Sequence, residues 1–331
     1  MPGVFVTGAR GFVGRRVVDA LVEHGHRVVG LTRSATDDPD DPPDPRIDWV
    51  RGCLTDGASY GGVLGEVEHV IHLAAVLSAR RASDYERGNV LATRVLLDTC
   101  AAHNGRLRHV VVVSSIAAMG PKHDGTLLRE TDPCRPRSAY GRSKLASERA
   151  ARAYREHLPI TVVRPAFVYG RGDTRAADHL RTLLLSLDRP WKTPIVGLSF
   201  VHVRDLAELC VRATVVDVPS GETYLVADPA SCTWDDVRTA VVRALETLAA
   251  RGRIAAGVAE HLLARARALD IVVRRGSRFE YWGCDTTKAR EALGFRGTRS
   301  LQASALEVIG AYAEAGFFAA ERWPGHPTTV V

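Results

Sequence analysis

Long apolar runs are missing from this sequence. No stretch approaches the ~18 consecutive apolar residues that a membrane-spanning helix needs, and glycines interrupt the N-terminal segment where a signal peptide would have an unbroken apolar core. Paired cysteines are missing too, because the six cysteines are scattered, without a CxxC pair, at positions 53, 100, 134, 210, 232 and 284. These absences predict a cytoplasmic protein with free thiols, no membrane partner, no disulfide framework and no metal site.

Lysine is scarce as well, with four lysines among the 44 basic residues. The net charge is +6, but the basic residues are spread along the chain, so no nucleic-acid partner is predicted. Hydrophobic residues make up 46% of the chain and charged residues 25%, which is ordinary for a globular protein. For 331 residues we expect one large domain with an added lobe, or two domains.

Short apolar runs alternate with amphipathic segments through the first half of the chain, as in "VFVTG", "HVVVVSS" and "ITVVRP". This alternation predicts an α/β fold whose parallel sheet is covered by helices on both faces. After Pro165 the pattern changes to a second lobe, with helices expected through "HLRTLLLSL" and from about 234 to 269. The segments "FVHVRDLAEL" and "ETYLVA" are expected to return to the sheet of the first domain.

Three glycines follow the first predicted strand and open the first predicted helix. Gly8, Gly11 and Gly14 have GxxGxxG spacing. Glycine permits a tight turn and lets the backbone approach a pyrophosphate at the helix N-terminus. The order of strand, glycines and helix therefore predicts a dinucleotide-binding site.

The residues after the second predicted strand bear on which dinucleotide binds. An Asp or Glu that contacts the ribose 2′-hydroxyl is expected there, but the chain has Thr32, Arg33 and Ser34. Arg33 could pair bidentately with a 2′-phosphate, and Arg10 could approach it from the glycine loop. We therefore expect NADP(H), with NAD(H) as the alternative. The competing interpretation is that both arginines are solvated surface residues.

The stretch "SAYGRSKLASE" at 138–148 places Tyr140 and Lys144 four residues apart, on one side of a predicted helix. A phenol titrates near ~10 and exchanges protons poorly at neutral pH until a neighbouring cation lowers its pKa. We interpret the pair as a tuned acid/base. The alternative is a chance pair on a surface helix.

Together, the glycine loop and the YxxxK pair resemble the extended short-chain dehydrogenase/reductase family, which includes nucleotide-sugar epimerases, dihydroflavonol reductases and hydroxysteroid dehydrogenases. The resemblance covers nearly the whole chain and extends to "HLAA" at 72–75, "VVVSSIAAMG" at 111–120 and "VVRPAFVYG" at 162–170. It implies a Rossmann fold, a doubly wound parallel sheet with a smaller C-terminal substrate-binding lobe. Residues 1–165, with segments near 200–228, would bind NADP(H), and most of 166–331 would bind a small-molecule substrate. The oligomeric state stays open, with a homodimer among the alternatives.

The resemblance also implies roles for individual residues. Tyr140 would be the catalytic acid/base, Lys144 would lower its pKa and hold the nicotinamide ribose, and Ser115 would hydrogen-bond the reacting oxygen. Asn89 would be a structural or proton-relay group. Besides the glycines, Arg10, Arg33 and Ser34, the implied cofactor contacts are Phe12, Val13, Leu54, Ala74, Ala75, Pro165 and Ala166.

The chain departs from the family's sugar-nucleotide members near the substrate. Ile116 and Ala117 replace the Asp-Glu pair of dehydratases, and Phe167 and Leu198 occupy places where other members have groups facing a diphosphate. These departures favour a carbonyl reductase or alcohol dehydrogenase acting on a moderately apolar compound. Two alternatives stay open: a non-catalytic NADP-binding sensor, and a nucleotide-sugar 4-epimerase or 4-ketoreductase whose phosphate contacts would come from Arg274, Arg275 and Arg278.

Overall fold

The computed structural model describes residues 2–33, 44–103, 105–173, 191–193, 195–268, 271–273 and 279–319. These residues form thirteen strands, which are β1 (Gly3–Thr7), β2 (Arg27–Thr32), β3 (Ile47–Arg51), β4 (His69–His72), β5 (His109–Val113), β6 (Ile160–Pro165), β7 (Phe167–Tyr169), β8 (Trp191–Thr193), β9 (Ile195–Leu198), β10 (Phe200–His202), β11 (Glu222–Val226), β12 (Ile271–Val273) and β13 (Glu280–Trp282).

The α-helices of the described residues are α1 (Phe12–Glu23), α2 (Gly61–Leu64), α3 (Ala82–Tyr85), α4 (Ala92–His103), α5 (Ala139–Ala153), α6 (Val203–Val215), α7 (Trp234–Ala250), α8 (Ala256–Ala268), α9 (Thr287–Leu293) and α10 (Leu301–Glu314). A π-helical segment, Glu86–Leu91, joins α3 to α4, and short 3₁₀ turns span Gly57–Ser59 and Ile116–Ala118.

Seven strands form the central sheet in the order β3-β2-β1-β4-β5-β6-β11, and every neighbouring pair is parallel. All residues of β1, β4, β5 and β6 are buried, which explains their nearly unbroken apolar sequences. This order is that of a doubly wound Rossmann sheet with one additional strand. The predicted fold class is confirmed.

Each face of the sheet has its own buried core, because successive side chains of a strand point to opposite faces. On one face Val4 and Val6 of β1 belong to the same cluster as Leu21 of α1 and residues of α6. On the other face Phe5 belongs to a cluster with Leu96 of α4. Helices therefore cover both faces, as the alternating sequence pattern predicts.

The second half of the chain adds a separate core, in which α7, α8 and α10 pack together. Outside the central sheet, β7 pairs with β10, β8 with β12 and β9 with β13, and all three pairs are parallel. "ETYLVA" does return to the central sheet as its edge strand β11. The same expectation for "FVHVRDLAEL" is wrong for its strand, since β10 pairs only with β7 among the described residues. That segment returns through α6 instead, whose Leu206 lies in the core beside α1.

Some expectations fall outside the described residues: Ser34, the helix through "HLRTLLLSL", and Arg274, Arg275 and Arg278. The domain boundaries stay a prediction. All six cysteines are free thiols, as expected. Within the described ranges, none of the helices combines the length and the apolar character needed to cross a membrane.

Candidate active site

The predicted site residues gather at one edge of the central sheet, where its parallel strands end. The glycine loop follows β1, Arg33 follows β2, and Leu54 lies just past β3. Ala74 and Ala75 follow β4, Ser115 follows β5, and Pro165 and Ala166 lie at the end of β6. The strand order reverses between β1 and β4, and the crevice at such a reversal is the usual ligand site of an open α/β sheet.

The glycine loop is packed so tightly that two of its glycines cannot carry a side chain. Gly8 has φ +74°, and a Cβ there would lie 2.8 Å from the backbone N of Ala74. A Cβ on Gly14 would lie 2.0 Å from the carbonyl O of Gly8. These close approaches bring the loop after β1 against the start of α1 and against the loop after β4.

The start of α1 suits an anion. Gly11 is the N-terminal capping residue, no side chain caps it among the described residues, and the first turn contains no acidic residue. Unsatisfied amides at a helix N-terminus, together with the helix dipole, favour a phosphate. Phe12 and Val13, both half-buried, lie in this first turn. The loop and the helix start therefore fit the pyrophosphate of a dinucleotide.

Arginine side chains lie at this edge of the sheet after β1 and β2. Arg33 is exposed after β2, and Arg10 is half-buried in the glycine loop. The pKa of the Cys53 thiol lies below its ordinary value, mainly because of hydrogen bonds with Thr55, with smaller contributions from the positive charges of Arg33 and Arg87. The positive charges of Arg33 and Arg87 therefore both act on the Cys53 thiol, which lies beyond β3 next to the half-buried Leu54.

The start of α5, which carries Tyr140, packs on the turn that Ser115 begins. Ser138 caps this helix by accepting a hydrogen bond from the backbone N–H of Gly141 at 2.9 Å. A Cβ on Gly141 would lie 2.2 Å from the carbonyl O of Ala117, so the first turn of α5 packs directly on the turn after β5. The Ser115 hydroxyl oxygen accepts from the N–H of Ala117 at 3.1 Å, which leaves its proton available to another acceptor.

Lys144 lies one helical turn after Tyr140 and is buried, with 4% of its surface exposed. Its Nζ donates a hydrogen bond to the carbonyl O of Val113, the last residue of β5, at 2.7 Å. Burial lowers the pKa of Lys144 to about 8, and the negative charge of Glu148 opposes that shift. Lys144 is therefore tied to the strand end that precedes Ser115.

Glu148 and its partners form a network that the sequence patterns did not single out. Its carboxylate is completely buried and accepts from the Ser114 hydroxyl at 2.6 Å and from Nε and Nη2 of Arg164 at 2.9 and 2.6 Å. The one available signal was its spacing, four residues after Lys144 on the same side of α5. A charged residue at that spacing is equally compatible with a solvent-exposed position on the helix.

A second group outside the sequence-based set is Tyr85, whose ring centroid lies 6.4 Å from that of Tyr140. The Tyr85 hydroxyl accepts from the N–H of Ala79 at 3.0 Å. Asn89, expected to be a structural or relay group, is buried and bonds both backbone groups of Val76 at 2.7 and 3.0 Å. These contacts hold the loop after Ala75 beside Tyr140.

An aromatic cluster follows the end of β6. Phe167 is 39% exposed, and its ring centroid lies 6.0 Å from those of Phe200 and Trp282. Leu198, predicted to face the substrate with Phe167, is only 3% exposed, so its side chain is packed inside the lobe. Of the two apolar positions, Phe167 is the one that presents surface beside the strand ends.

Comparison with known proteins places these features in a family. A model of the NAD dependent epimerase/dehydratase family matches residues 4–227. The chain belongs to this family. The family is the extended short-chain dehydrogenase/reductase class, so the resemblance drawn from the sequence is confirmed and the protein is an enzyme of the NAD(P)-binding kind. Family members similar to the chain include ketoreductases, epimerases and dehydratases.

Individual relatives differ in how much of the chain they match. A protein of Synechocystis sp., named provisionally as a dihydroflavonol 4-reductase, is 36% identical over 211 residues, which span 61% of this chain and 60% of that protein. A Stigmatella aurantiaca enzyme, 4-hydroxy-2-methyl-3-oxo-4-farnesyl-3,4-dihydroquinoline-1-oxide ketoreductase, is 30% identical over 88% of this chain and 91% of its own length. A Burkholderia cenocepacia structure, named provisionally as an epimerase, superposes with a TM-score of 0.76 at 24% identity and covers 95% of this chain and 98% of its own, which shows a shared fold.

Proposed function

We propose that this enzyme is an NADP(H)-dependent carbonyl reductase or alcohol dehydrogenase that acts on a moderately apolar ketone or the corresponding alcohol. The observation that supports the proposal is the packing of the first turn of α5, which carries Tyr140, on the turn that Ser115 begins, at the strand end bonded by Lys144. Phe167 adds an exposed aromatic surface two residues beyond Pro165. A phenol, a serine hydroxyl and an apolar surface therefore lie at the edge that also carries the glycine loop, which supports the proposed roles of acid, hydrogen-bond donor and substrate contact.

Each side chain has a defined task in the reductive direction. Bound NADPH would supply the hydride that forms the new C–H bond. Tyr140 donates its phenolic proton to the carbonyl oxygen, so that one C–H and one O–H bond replace the C=O π bond and Tyr140 becomes a phenolate. Ser115 donates a hydrogen bond to the same oxygen as its negative charge develops. The ammonium group of Lys144 stabilises the phenolate, and alcohol oxidation runs the same steps in reverse.

Removing the Tyr140 hydroxyl tests the chemical part of the proposal. For Tyr140→Phe we expect turnover to fall by ~10² or more, the range for loss of a positioned acid, while NADPH binding survives. Tyr154→Phe is a matched control, because Tyr154 caps the far end of the same helix and its hydroxyl bonds Asp98 away from the strand ends. Near-normal turnover of Tyr140→Phe would remove Tyr140 from the reaction.

The preference for NADP(H) is proposed from the exposed Arg33, which stands where other dinucleotide sites have a carboxylate. We expect the wild type to bind NADPH more tightly than NADH. Arg33→Ala should narrow that gap by about 1.5–3 kcal/mol, the value of a charge-assisted hydrogen bond. Arg94→Ala, which removes an exposed arginine from α4, should leave the gap unchanged. Calorimetric titration showing equal or better NADH binding to the wild type would refute the preference.

The apolar substrate is proposed from Phe167 and from the Stigmatella relative, whose named substrate carries a farnesyl group. A diphosphate needs donors once water is expelled, because leaving its charges unpaired costs several kcal/mol, and an aromatic ring supplies none. We expect apolar ketones to be reduced and UDP and TDP to compete weakly. Saturable binding of UDP at micromolar concentration outside the cofactor site, or cofactor retained through purification, would favour a nucleotide-sugar epimerase or 4-ketoreductase instead.

A further inference from the structure

We propose that Glu148 is a positioning residue, which acts through Ser114 to fix the hydroxyl of Ser115 relative to that of Tyr140. The proposal rests on the proposed function, in which Ser115 and Tyr140 contact the reacting oxygen. Glu148 itself lies two helical turns beyond Tyr140 on α5 and is completely buried, so it does not contact substrate.

Two consecutive residues at the end of β5, Val113 and Ser114, are bonded by side chains of α5. The carbonyl O of Val113 accepts from Lys144 Nζ at 2.7 Å. The next hydroxyl, that of Ser114, donates to Glu148 Oε1 at 2.6 Å. Ser115 then begins the 3₁₀ turn on which the first turn of α5 packs. Ser114 lies between Val113, the end of β5, and Ser115, the residue proposed to face the substrate. Its bond to Glu148 therefore anchors the chain directly before Ser115.

The Glu148 carboxylate, which accepts the hydrogen bond from Ser114, is held in place by further contacts. Arg164 of β6, with 1% of its surface exposed, donates to both oxygens of Glu148 at 2.9 and 2.6 Å. The backbone N–H of Ser114 also bonds the carbonyl O of Val163, the neighbour of Arg164, at 2.7 Å. Glu148 thus joins β5, α5 and β6 at one point. Buried ion pairs add little net stability compared with apolar packing, whereas they can fix geometry.

This geometry matters because reduction needs two donors aimed at one oxygen. A stabilising donor has to lie about 2.7–3.1 Å from the position of the developing oxyanion, and an error of about 1 Å can cost ~10² in rate. If the hydroxyl of Ser114 is removed, Ser114 loses its side-chain bond to α5, while the bond from Lys144 to Val113 and the packing of the first turn of α5 remain. The loss should therefore appear in the chemical step and not in cofactor binding.

The test compares Ser114→Ala with Ser147→Ala. Ser147 is equally buried, lies on α5, and donates to the carbonyl O of Ser143 at 2.9 Å, so its replacement also removes one buried hydroxyl but no link to β5. We expect Ser114→Ala to lower kcat by about tenfold, with the KM for the ketone and the Kd for NADPH within about twofold of wild type. NADPH deuterated at the transferred position should show a larger isotope effect on kcat in this variant. Ser147→Ala should keep wild-type kcat at a similar loss of Tm.

A kcat of Ser114→Ala within about twofold of wild type, or an equal loss of kcat in Ser147→Ala, would overturn the positioning role. Ser115→Ala, measured in parallel, separates this outcome from failure of the proposed function. If Ser115→Ala and Tyr140→Phe abolish turnover while Ser114→Ala does not, the positioning role is wrong and the proposed function stands. If all three retain turnover, the proposed function is wrong as well.

Discussion

The glycine loop offers a pair of substitutions that separates folding from cofactor binding. Both Gly14→Ala and Gly11→Ala add one methyl group to the same loop. At Gly14 the new Cβ would lie 2.0 Å from the carbonyl O of Gly8 and 2.8 Å from Cα and O of Ala9, all of them backbone atoms. At Gly11 its nearest neighbour would be the same carbonyl O at 3.2 Å, and the backbone has φ −74° and ψ 169°, which alanine adopts freely.

These distances set the size of the expected effects. A real Cβ essentially never approaches another atom below 3.0 Å, so Gly14→Ala has to push α1 away from the loop by about 1 Å. Overpacking of this kind costs about 1–3 kcal/mol of the free energy of unfolding. Gly11→Ala should change that free energy by less than about 1 kcal/mol, because the substitution is compatible with its backbone. Its methyl group, however, would stand on the exposed face proposed to receive the pyrophosphate, so we expect NADPH binding to weaken at least ~10-fold, or about 1.4 kcal/mol.

Urea unfolding of the protein without added cofactor measures the first effect, and calorimetric titration with NADPH measures the second. We expect Gly14→Ala to be destabilised and Gly11→Ala to be stable but deficient in binding. Unfolding of Gly14→Ala at the wild-type urea concentration would refute the expected clash. Binding of NADPH to Gly11→Ala with the wild-type Kd would refute the proposed place of the pyrophosphate.

Three further outcomes are expected. Burial lowers the pKa of His109 to about 4, against ~6.5 in the unfolded chain. The unfolded state therefore binds more protons, and stability falls as the pH drops below ~6.5. His109→Gln should reduce the loss of unfolding free energy between pH 7 and pH 5 by about 2 kcal/mol, and an unchanged loss would contradict this. Asn89→Ala removes bonds to Val76 and Ser143, so urea titration should show about 2–4 kcal/mol less stability, and a change below about 1 kcal/mol would count against the anchoring of the loop. Cys53 has a lowered pKa and is half-buried, whereas burial raises the pKa of the thiols of Cys100, Cys210, Cys232 and Cys284. Iodoacetamide should therefore modify Cys53 before those four, and more slowly when NADPH is bound. Peptide mass mapping measures the order of modification.

Much of the fold could be predicted because its information is local. A parallel strand buried on both faces has to be apolar throughout, so the run that became β5 could be recognised without knowledge of its neighbours. Parallel strands also end at a common edge, which is why the glycine loop, Ala74 and Ser115 meet although about 40 to 60 residues separate each from the next.

The remaining features depend on contacts between distant segments. The run that became β10 had the composition of a strand of the central sheet, but its pairing with β7 is decided by packing in the lobe. Leu198 occupied a substrate-facing position in the family pattern, yet it is buried. Glu148 resembled a solvated helix residue, and its burial is made tolerable by Arg164, supplied by a strand that follows α5, and by the Ser114 hydroxyl. No pattern within one segment reveals such a partner.

The separate core of α7, α8 and α10 has a consequence for how the molecule opens. Among the described residues, this cluster has no residue in common with either sheet cluster. A buried hydrogen bond from the Tyr169 hydroxyl to Asp228, at 2.9 Å, links it to the segment after β11. Parts with separate cores tend to exchange their amide hydrogens as separate cooperative units. We expect the helices of the lobe to exchange faster than β1 and β5, and a ketone contacting both Ser115 and Phe167 to slow their exchange more than NADPH alone does. Bound substrate would then link two units that otherwise open independently.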